Sequence, residues 1–264
     1  PRGGPPAPPR RQADGIRQRL GHASARVAIG MRYGEPSIAQ GLRELRGQGI
    51  SRFLIFPLFP QFTRATTTST FDAVTEEIET WTDVPEIRTI DNYHDHPAYL
   101  RALANSLRET WAERGRPDRL LFSFHGIPDR YRRNGDPYRE QCEATARGVA
   151  SELNLDPDAW QIAFQSRFGP EPWLKPYTDE TLTAWGQEGV RTAHVICPGF
   201  SADCLETVDE IGREARHTFL TAGGQDFHYI PALNNRPDHL AAFTEIITAH
   251  LQDWLPEKPL FQEN

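Results

Sequence analysis

Short apolar runs alternate with helical patterns along the chain, and this alternation constrains the fold more than any other feature of the sequence. It predicts seven strands, at 26–31, 51–56, 87–90, 119–124, 161–164, 192–197 and 227–230. It also predicts seven helices, at about 37–48, 71–82, 97–114, 138–154, 177–188, 204–220 and 237–254. Alternation at this spacing is typical of an α/β fold in which helices cover both faces of a parallel sheet. The strands can form one sheet or two, and the helix at 97–114 is the candidate crossover between two halves.

Composition narrows the class of protein. The chain of 264 residues carries 29 basic and 36 acidic residues, so a basic surface for nucleic acid is not expected. The longest apolar runs, such as Phe53 to Phe59, hold about seven residues, whereas a membrane-spanning helix needs about 20. Three widely spaced cysteines do not form a secreted disulfide framework. The sequence therefore predicts a globular protein of a reducing compartment, the cytoplasm, with residues 1–10 as an unstructured, proline-rich start.

Ligands of parallel α/β folds bind beyond the carboxyl ends of the strands. His125 follows the fourth predicted strand, Trp173 lies beyond the fifth, and Phe200 and Glu206 lie beyond the sixth. No GxGxxG or GxxxxGK[ST] motif occurs, so neither a dinucleotide fold nor a phosphate-binding loop is indicated. Ser123 lacks the GxSxG setting of a hydrolase nucleophile. The functional site is therefore predicted at the strand ends, without a nucleotide or a nucleophilic serine.

Two residues at this edge have both a structural and a chemical interpretation. His125 can hydrogen-bond a loop carbonyl, or it can act as a general base or metal ligand, because imidazole titrates near neutrality and binds first-row metals. Glu206 stands three residues after Asp203, the spacing of a helix-capping pair with Asp203 as N-cap. Alternatively, Glu206, Glu210 and Glu214, spaced by four on one helix face, form a track for a divalent cation. Spacing alone leaves these alternatives open.

Several aromatic residues lie at strand ends and in the loops beyond them, namely Tyr33, Phe62, Phe124, Trp173, Tyr177 and Phe200. Each alone is typical of a hydrophobic core, but their clustering favours a flat, apolar ligand. Together with a histidine base and a row of carboxylates, such a ligand suggests metal handling next to a macrocycle.

Ordered motifs extend from about residue 11 to residue 254. The clearest are Met31-Arg32-Tyr33-Gly34, Ser123-Phe124-His125-Gly126-Ile127-Pro128 and Ser201-Ala202-Asp203-Cys204-Leu205-Glu206-Thr207. Further stretches lie at 57–62, 135–138, 164–169, 172–174, 178–181, 197–200 and 229–234. In these motifs and their order the chain resembles the ferrochelatase family (protoheme ferro-lyases, heme synthases) of the bacterial type, and the number of motifs makes the resemblance specific.

The resemblance implies a chelatase-like fold of two Rossmann-like domains, each a parallel four-stranded sheet flanked by helices, with porphyrin held between them. The first half would comprise residues 11–116 joined by the C-terminal helix at 237–254, and the second half residues 117–236. Three predicted strands precede residue 116 where the family has four. The first strand of domain one and a lip over the porphyrin are therefore expected to be missing.

The resemblance also implies a reaction, the insertion of Fe²⁺ into protoporphyrin IX to give protoheme with release of two protons. His125 corresponds to the family's active-site histidine and Glu206 to its partner glutamate, as catalytic residues and as metal ligands. Glu210 and Glu214 correspond to acidic positions for a second cation. The porphyrin-binding positions correspond to Arg32, Tyr33, Trp173 and Phe200.

Fe²⁺ is a substrate of this reaction, and neither a permanently bound cofactor nor an iron–sulfur cluster is expected. The expected partners are protoporphyrin IX and Fe²⁺, but not nucleic acid. Peripheral contact at the inner membrane and contacts with heme-pathway enzymes are left open. Two rival functions also stay open, a cobalt chelatase of a related tetrapyrrole and a truncated, non-catalytic porphyrin- or heme-binding protein.

Overall fold

Six parallel strands alternate with helices in the computed structural model, which describes residues 8–21, 25–251 and 253–254. The strands in these ranges are β1 (Arg52–Ile55), β2 (Glu86–Thr89), β3 (Arg119–His125), β4 (Trp160–Gln165), β5 (Thr192–Ile196) and β6 (Asp226–Ile230). The α-helices are α1 (Pro8–Leu20), α2 (Ile38–Gly47), α3 (Ser69–Ile78), α4 (Pro97–Arg114), α5 (Asp129–Arg133), α6 (Tyr138–Glu152), α7 (Thr178–Gln187), α8 (Leu205–Val208), α9 (Arg216–Thr221) and α10 (Pro237–Leu251). Two π-helical segments, Arg64–Thr68 and Glu210–Ala215, precede α3 and α9. None of the described helices has the length and apolar character needed to cross a membrane.

The strands form two parallel sheets. β1 pairs with β2, and the larger sheet has the order β4-β3-β5-β6. β3 pairs with β4 from Leu120 opposite Trp160 to His125 opposite Gln165. Parallel sheets flanked by helices confirm the predicted α/β class. Because the strands of the larger sheet are parallel, their carboxyl ends meet at one edge, and His125 is the last residue of β3 at that edge.

The first sheet departs from the prediction, because residues 26–31 form no strand. Met31 makes only an isolated parallel bridge to Ser37. The Val27 carbonyl, which a neighbouring strand would have used, accepts hydrogen bonds from Nε and Nη2 of Arg17 at 2.9 and 2.7 Å. A side chain thus takes the place of a strand partner. Among the described residues the first sheet has two strands, where the pattern predicts three and the resemblance implies four.

Helix α1 begins inside the segment predicted to be unstructured, so the prediction is wrong for residues 8–10, whereas residues 1–7 lie outside the described residues. The two prolines that open the helix are tolerated because the first N–H groups of a helix have no intrahelical acceptor. Ile16 is buried, and α1 packs on α10. At Gly15 an added Cβ would overlap the side chain of Leu240 in α10. Close packing on α10 therefore orders a segment whose composition suggested a linker.

The C-terminal helix packs mainly against elements of the first half of the chain. α10 begins at Pro237, as predicted, and ends at Leu251, where the prediction extends to residue 254. It contacts α1, α4 and β1. The division into halves at residue 116 stays a prediction, and the position of α10 agrees with the expectation that this helix joins the first half.

The central strand β3 is buried on both faces. Phe122 and Phe124 belong to a hydrophobic core shared with α4, α6 and α10, whereas Leu121 belongs to a second core shared with α7 and α9. Burial on both faces is typical of parallel sheets covered by helices. The end of β3, and with it His125, is therefore anchored by packing from both sides.

Two buried histidines link the stability of this fold to pH. Burial lowers the pKa of His239 in α10 to about 4. Burial and the neighbouring ring of His228 lower the pKa of His194 in β5 to about 4. His194 and His228 are paired in register on β5 and β6, and the centroids of their rings are 5.5 Å apart. In an unfolded chain the pKa of a histidine is about 6.5. Between that value and about pH 4, these two histidines therefore bind protons in the unfolded chain but stay neutral in the folded protein.

We expect the free energy of unfolding to fall between pH 7.5 and pH 5, because a lowered histidine pKa destabilises the fold as pH drops below about 6.5. Each of the two histidines should account for a loss of about 1–2 kcal/mol at pH 5. Urea unfolding at both pH values measures this loss, and His194→Gln, which removes one titrating group, should reduce it by about 1–2 kcal/mol. His217→Gln, at an exposed position, is the control. A pH-dependent loss in His194→Gln equal to that of the parent would contradict the prediction.

Candidate active site

His125 lies at the carboxyl edge of the larger sheet, and a hydrogen bond orients its ring. Its Nδ1 is 2.6 Å from the carbonyl oxygen of Gly126. A carbonyl oxygen only accepts, so Nδ1 donates, and the lone pair of the neutral ring is on Nε2. The Tyr138 hydroxyl donates to the His125 carbonyl at 2.9 Å. Nδ1 thus makes the hydrogen bond to a loop carbonyl that the structural interpretation predicts. Nε2 is left to act as a base or a metal ligand.

Glu206 does not take part in capping its helix. The N-cap of α8 is Cys204, whose amide donates to the Thr207 hydroxyl at 3.0 Å in a capping box. The predicted capping pair of Asp203 and Glu206 is therefore wrong. The Asp203 carboxylate instead accepts from the Tyr229 hydroxyl at 2.6 Å, at the end of β6. Because Asp203 is held by these contacts, the cap falls one residue later and Glu206 lies in the first turn of α8.

The surroundings of Glu206 keep its carboxylate ionised. A hydrogen bond from the Cys204 thiol lowers the pKa of Glu206, with further lowering by its own amide and by nearby His125, and together these outweigh partial burial. Burial and the adjacent Glu206 carboxylate raise the pKa of Cys204 to about 11. A neutral thiol and an ionised carboxylate therefore meet at the start of α8, within electrostatic reach of His125.

Phe200 and Gln165 complete the group around His125 and Glu206. The ring centroid of Phe200 is 6.2 Å from that of His125. The buried Gln165 side chain donates from Nε2 to the Glu206 carbonyl at 2.6 Å and accepts from the Ser123 hydroxyl at 2.7 Å. Sequence reasoning did not single out Gln165, although a polar residue at the end of a buried strand is a signal that could have found it.

Trp173 lies beneath the loop that follows His125. Only 7% of Trp173 is exposed, and an added Cβ on Gly126 would lie 3.1 Å from its ring. The ring centroid of Phe168 is 5.0 Å from that of Trp173, and Phe168 is 74% exposed. The aromatic surface offered to a ligand here is therefore mainly that of Phe168, which the sequence analysis did not select.

Arg32 and Tyr33 lie in the first half of the chain, next to α3. Arg32 donates from Nε to the Ser69 hydroxyl at 2.9 Å, and its guanidinium carbon is 5.1 Å from the centroid of the Tyr33 ring. Tyr33 is 79% exposed. The contacts described for this pair are with each other and with α3, so the structure does not bring them against His125 or Glu206.

The helical pattern predicted at about 204–220 is confirmed, but its middle part is a π-helical segment that separates α8 from α9. In this segment the Glu214 amide donates to the Asp209 carbonyl, five residues back, at 3.0 Å. π-helical turns are rare and occur frequently at functional sites. The side chain of Glu210, the first residue of the segment, points to Ser166 after β4, whose amide and hydroxyl both donate to its carboxylate at 2.6 Å.

The three glutamates of the predicted cation track therefore have different partners. Glu206 contacts the Cys204 thiol, Glu210 contacts Ser166, and Glu214 is exposed beside Arg213, 3.0 Å away. In the part of the chain that the structure describes, no three or more His, Cys, Asp or Glu side chains are grouped to hold a metal ion. The metal ligands predicted from the resemblance stay a prediction.

The fold is shared with solved structures of known proteins. The chain is similar to SirB from Bacillus subtilis with Fe³⁺, with a TM-score of 0.69 and 14% identity over 95% of this chain and 94% of that one. It is also similar to CbiX, the terminal enzyme for biosynthesis of siroheme in denitrifying bacteria, with a TM-score of 0.57 and 17% identity over 94% and 95% of the two chains. At these identities the likeness shows the fold alone, an α/β chelatase-like fold.

Sequence comparison shows the family. The ferrochelatase family model matches residues 7–251. The chain is 54% identical to the ferrochelatase of Hydrogenovibrio crunogenus over 91% of its own length and 64% of that protein. It is 52% identical to the ferrochelatase of Nitrosococcus oceani over 88% of its length and 63% of that protein. The chain therefore belongs to the ferrochelatase family, and it spans less than two thirds of the length of these two relatives.

Gly126→Ala is expected to destabilise the protein at this site. An added Cβ would lie 2.7 Å from the Gln165 carbonyl, which is fixed in β4 and accepts from the Gly126 amide at 2.8 Å. We expect a loss of about 1–3 kcal/mol in the free energy of unfolding, measured by urea denaturation. Gly199→Ala is the control, because its nearest neighbours would be 3.6 Å from the new Cβ. Equal losses in the two variants would contradict this explanation.

The raised pKa of Cys204 predicts slow alkylation by iodoacetamide. The thiolate is the reacting species, so a pKa of about 11 makes the reaction at pH 7.5 roughly 300-fold slower than that of an ordinary cysteine. Mass spectrometry of the peptide that contains Cys204 measures the rate, and the same peptide in urea-unfolded protein is the control. Equal rates in the folded and unfolded protein would show that the thiol is not protected.

Proposed function

We propose that this chain catalyses the insertion of Fe²⁺ into protoporphyrin IX, giving protoheme and two protons. The observation that supports the proposal most directly is the placement of His125 at the end of β3 and of Glu206 in the first turn of α8, two elements joined by hydrogen bonds of Gln165, in a member of the ferrochelatase family. Fe²⁺ is a substrate in this proposal. Glu206 receives it, and His125 is its second ligand only while Nε2 carries no proton.

His125 is the proposed base. The two N–H protons of a free porphyrin occupy the place of the metal and have to leave before the metal can bind. Bending the macrocycle exposes its nitrogen lone pairs, and remote binding contacts can supply such strain at ~1–5 kcal/mol. With Nδ1 donating to the Gly126 carbonyl, the Nε2 lone pair of His125 can accept the two pyrrole protons one after the other, releasing each to water.

Glu206 is the proposed partner that receives the metal. Its carboxylate is kept ionised by the Cys204 thiol and its own amide, and oxygen together with imidazole nitrogen is a ligand set that suits Fe²⁺. The negative charge also offsets the positive charge of the metal as its hydration water is lost. Base and ligand are thus supplied from two elements, the end of β3 and the start of α8.

The macrocycle is proposed to lie between the two halves of the chain. In the second half, Phe200 beside His125 and Phe168 beside Trp173 provide aromatic faces. In the first half, Arg32 and the exposed ring of Tyr33 provide a cation and an aromatic surface. The cation can pair with a carboxylate of the porphyrin, and the rings can stack on its faces.

A second cation is proposed near Glu210 and Glu214. A cation at Glu210 would compete with two hydrogen bonds from Ser166, so we propose a weak, transient site on the path of the metal. The cysteines described in the structure are unpaired, which agrees with a reducing compartment, and we place the reaction in the cytoplasm.

The test is anaerobic insertion of Fe²⁺ into protoporphyrin IX by the chain, followed by the loss of porphyrin fluorescence and the gain of heme absorbance. We expect turnover by the parent and a fall of about 10²–10⁴-fold in kcat for His125→Ala, because the general base is lost. Glu206→Gln keeps the shape of the side chain but removes the charge and should also lower kcat. His217→Ala, at an exposed position on α9, is the control for loss of a histidine.

Three outcomes would contradict the proposal. Near-normal turnover by His125→Ala would remove the assignment of the base. Tight porphyrin binding without turnover by the parent would favour a non-catalytic binding protein. Preference for Co²⁺ and a more carboxylated tetrapyrrole in the same assay would favour a cobalt chelatase.

A further inference from the structure

We propose that Gln12 of α1 is a positioning residue for the candidate active site. It holds the loop after β5, which carries Phe200 and leads into the helix start that carries Glu206. The inference rests on the proposed function, because it concerns the same site, and it assigns a role in that site to a helix near the start of the chain.

Gln12 is a polar side chain that is almost completely enclosed, with 1% of its surface exposed. Its Nε2 donates to the carbonyl of Ser201 at 2.9 Å and to the carbonyl of Asn234 at 3.1 Å. These carbonyls belong to the loops that follow β5 and β6. One amide of α1 therefore binds two loops that lie far from it in the sequence.

The hydrogen bonds continue from these carbonyls to the start of α8. The backbone amide of Asn234 donates to the Ser201 carbonyl at 3.0 Å. The Asn234 side chain accepts from the Asp203 amide at 2.9 Å and donates to the Asp203 carboxylate at 2.7 Å. That carboxylate also accepts from the Thr207 hydroxyl at 3.1 Å, in the helical turn that contains Glu206. A continuous network thus connects α1 with the helical turn that carries Glu206.

The side-chain oxygen of Gln12 indicates that this residue positions the two loops and does not add to the stability of the fold. Its Oε1 is buried, and no described residue hydrogen-bonds to it. A buried acceptor without a partner is costly, and an apolar side chain of similar size would avoid that cost. The two donated bonds are therefore what this residue supplies. The helix that makes these bonds is itself held in place, because α1 packs on α10 through the buried Ile16.

Gln12→Met tests the proposal, because methionine keeps the length of the side chain but removes both donors. We expect kcat for iron insertion to fall about tenfold with KM for the porphyrin nearly unchanged, since a small misplacement of reacting groups mainly slows the chemical step. Backbone amides in 200–208 should exchange hydrogen severalfold faster in native buffer. Gln18→Met makes the same change at an exposed position of the same helix and should alter neither quantity.

The outcomes separate positioning from stability. Faster exchange at 200–208 together with lower kcat, measured at a temperature where thermal unfolding shows both proteins folded, supports the proposal. A lower Tm with exchange at 200–208 and kcat unchanged would assign a purely structural role and overturn it. Gln12→Asn, a smaller change that retains an amide, is measured in parallel and should show an intermediate effect if Gln12→Met does not fold. If the parent does not insert iron, the proposed function fails, while unchanged exchange at 200–208 in the variant would overturn the positioning role independently.

Discussion

The candidate site depends on one polar junction at the carboxyl ends of β3 and β4. The Gly126 amide donates to the Gln165 carbonyl at 2.8 Å, and the Gln165 side chain reaches Ser123 on β3 and the Glu206 carbonyl on α8. Because Gln165 is buried, these bonds are made in a medium of low dielectric, where an unmade bond costs about 1–3 kcal/mol. The junction therefore fixes the spacing between the end of β3 and α8, and with it the approach of Glu206 to His125.

A second polar centre supports the same site from the other side. The Asp203 carboxylate accepts from the Tyr229 and Thr207 hydroxyls and from Asn234. These donors come from β6, from α8 and from the loop between β6 and α10. Functional groups keep their geometry best when other hydrogen-bonded side chains hold them on rigid elements. Asp203 and Gln165 therefore leave the start of α8 little freedom, which is a condition for Glu206 to act at a fixed distance from His125.

The alternating pattern was sufficient to predict the α/β class and the edge at which His125 lies, because both follow from local periodicity and from the geometry of parallel sheets. Two errors have a common physical cause in contacts made outside the local pattern. Residues 26–31 have the composition of a strand, but the side chain of Arg17, ten residues earlier, donates to the Val27 carbonyl. Asp203 has the spacing of a helix cap, but the end of β6 engages its carboxylate. These partners lie ten and 26 residues away, outside the few residues over which a strand or capping pattern is read.

The exposed apolar rim of the site also has a physical explanation under the proposed function. Phe168 after β4 is 74% exposed, and on α8 Leu205 is 75% exposed and Val208 is also exposed. In the free protein the charge of Glu206 faces water, which screens it. A flat macrocycle that covers the rim would displace that water, and the interaction of Glu206 with an arriving cation would strengthen as the local dielectric falls. The substrate itself would then complete the low-dielectric environment that its own metallation needs, so an open, apolar rim around the Glu206 carboxylate is the arrangement to expect before the porphyrin binds.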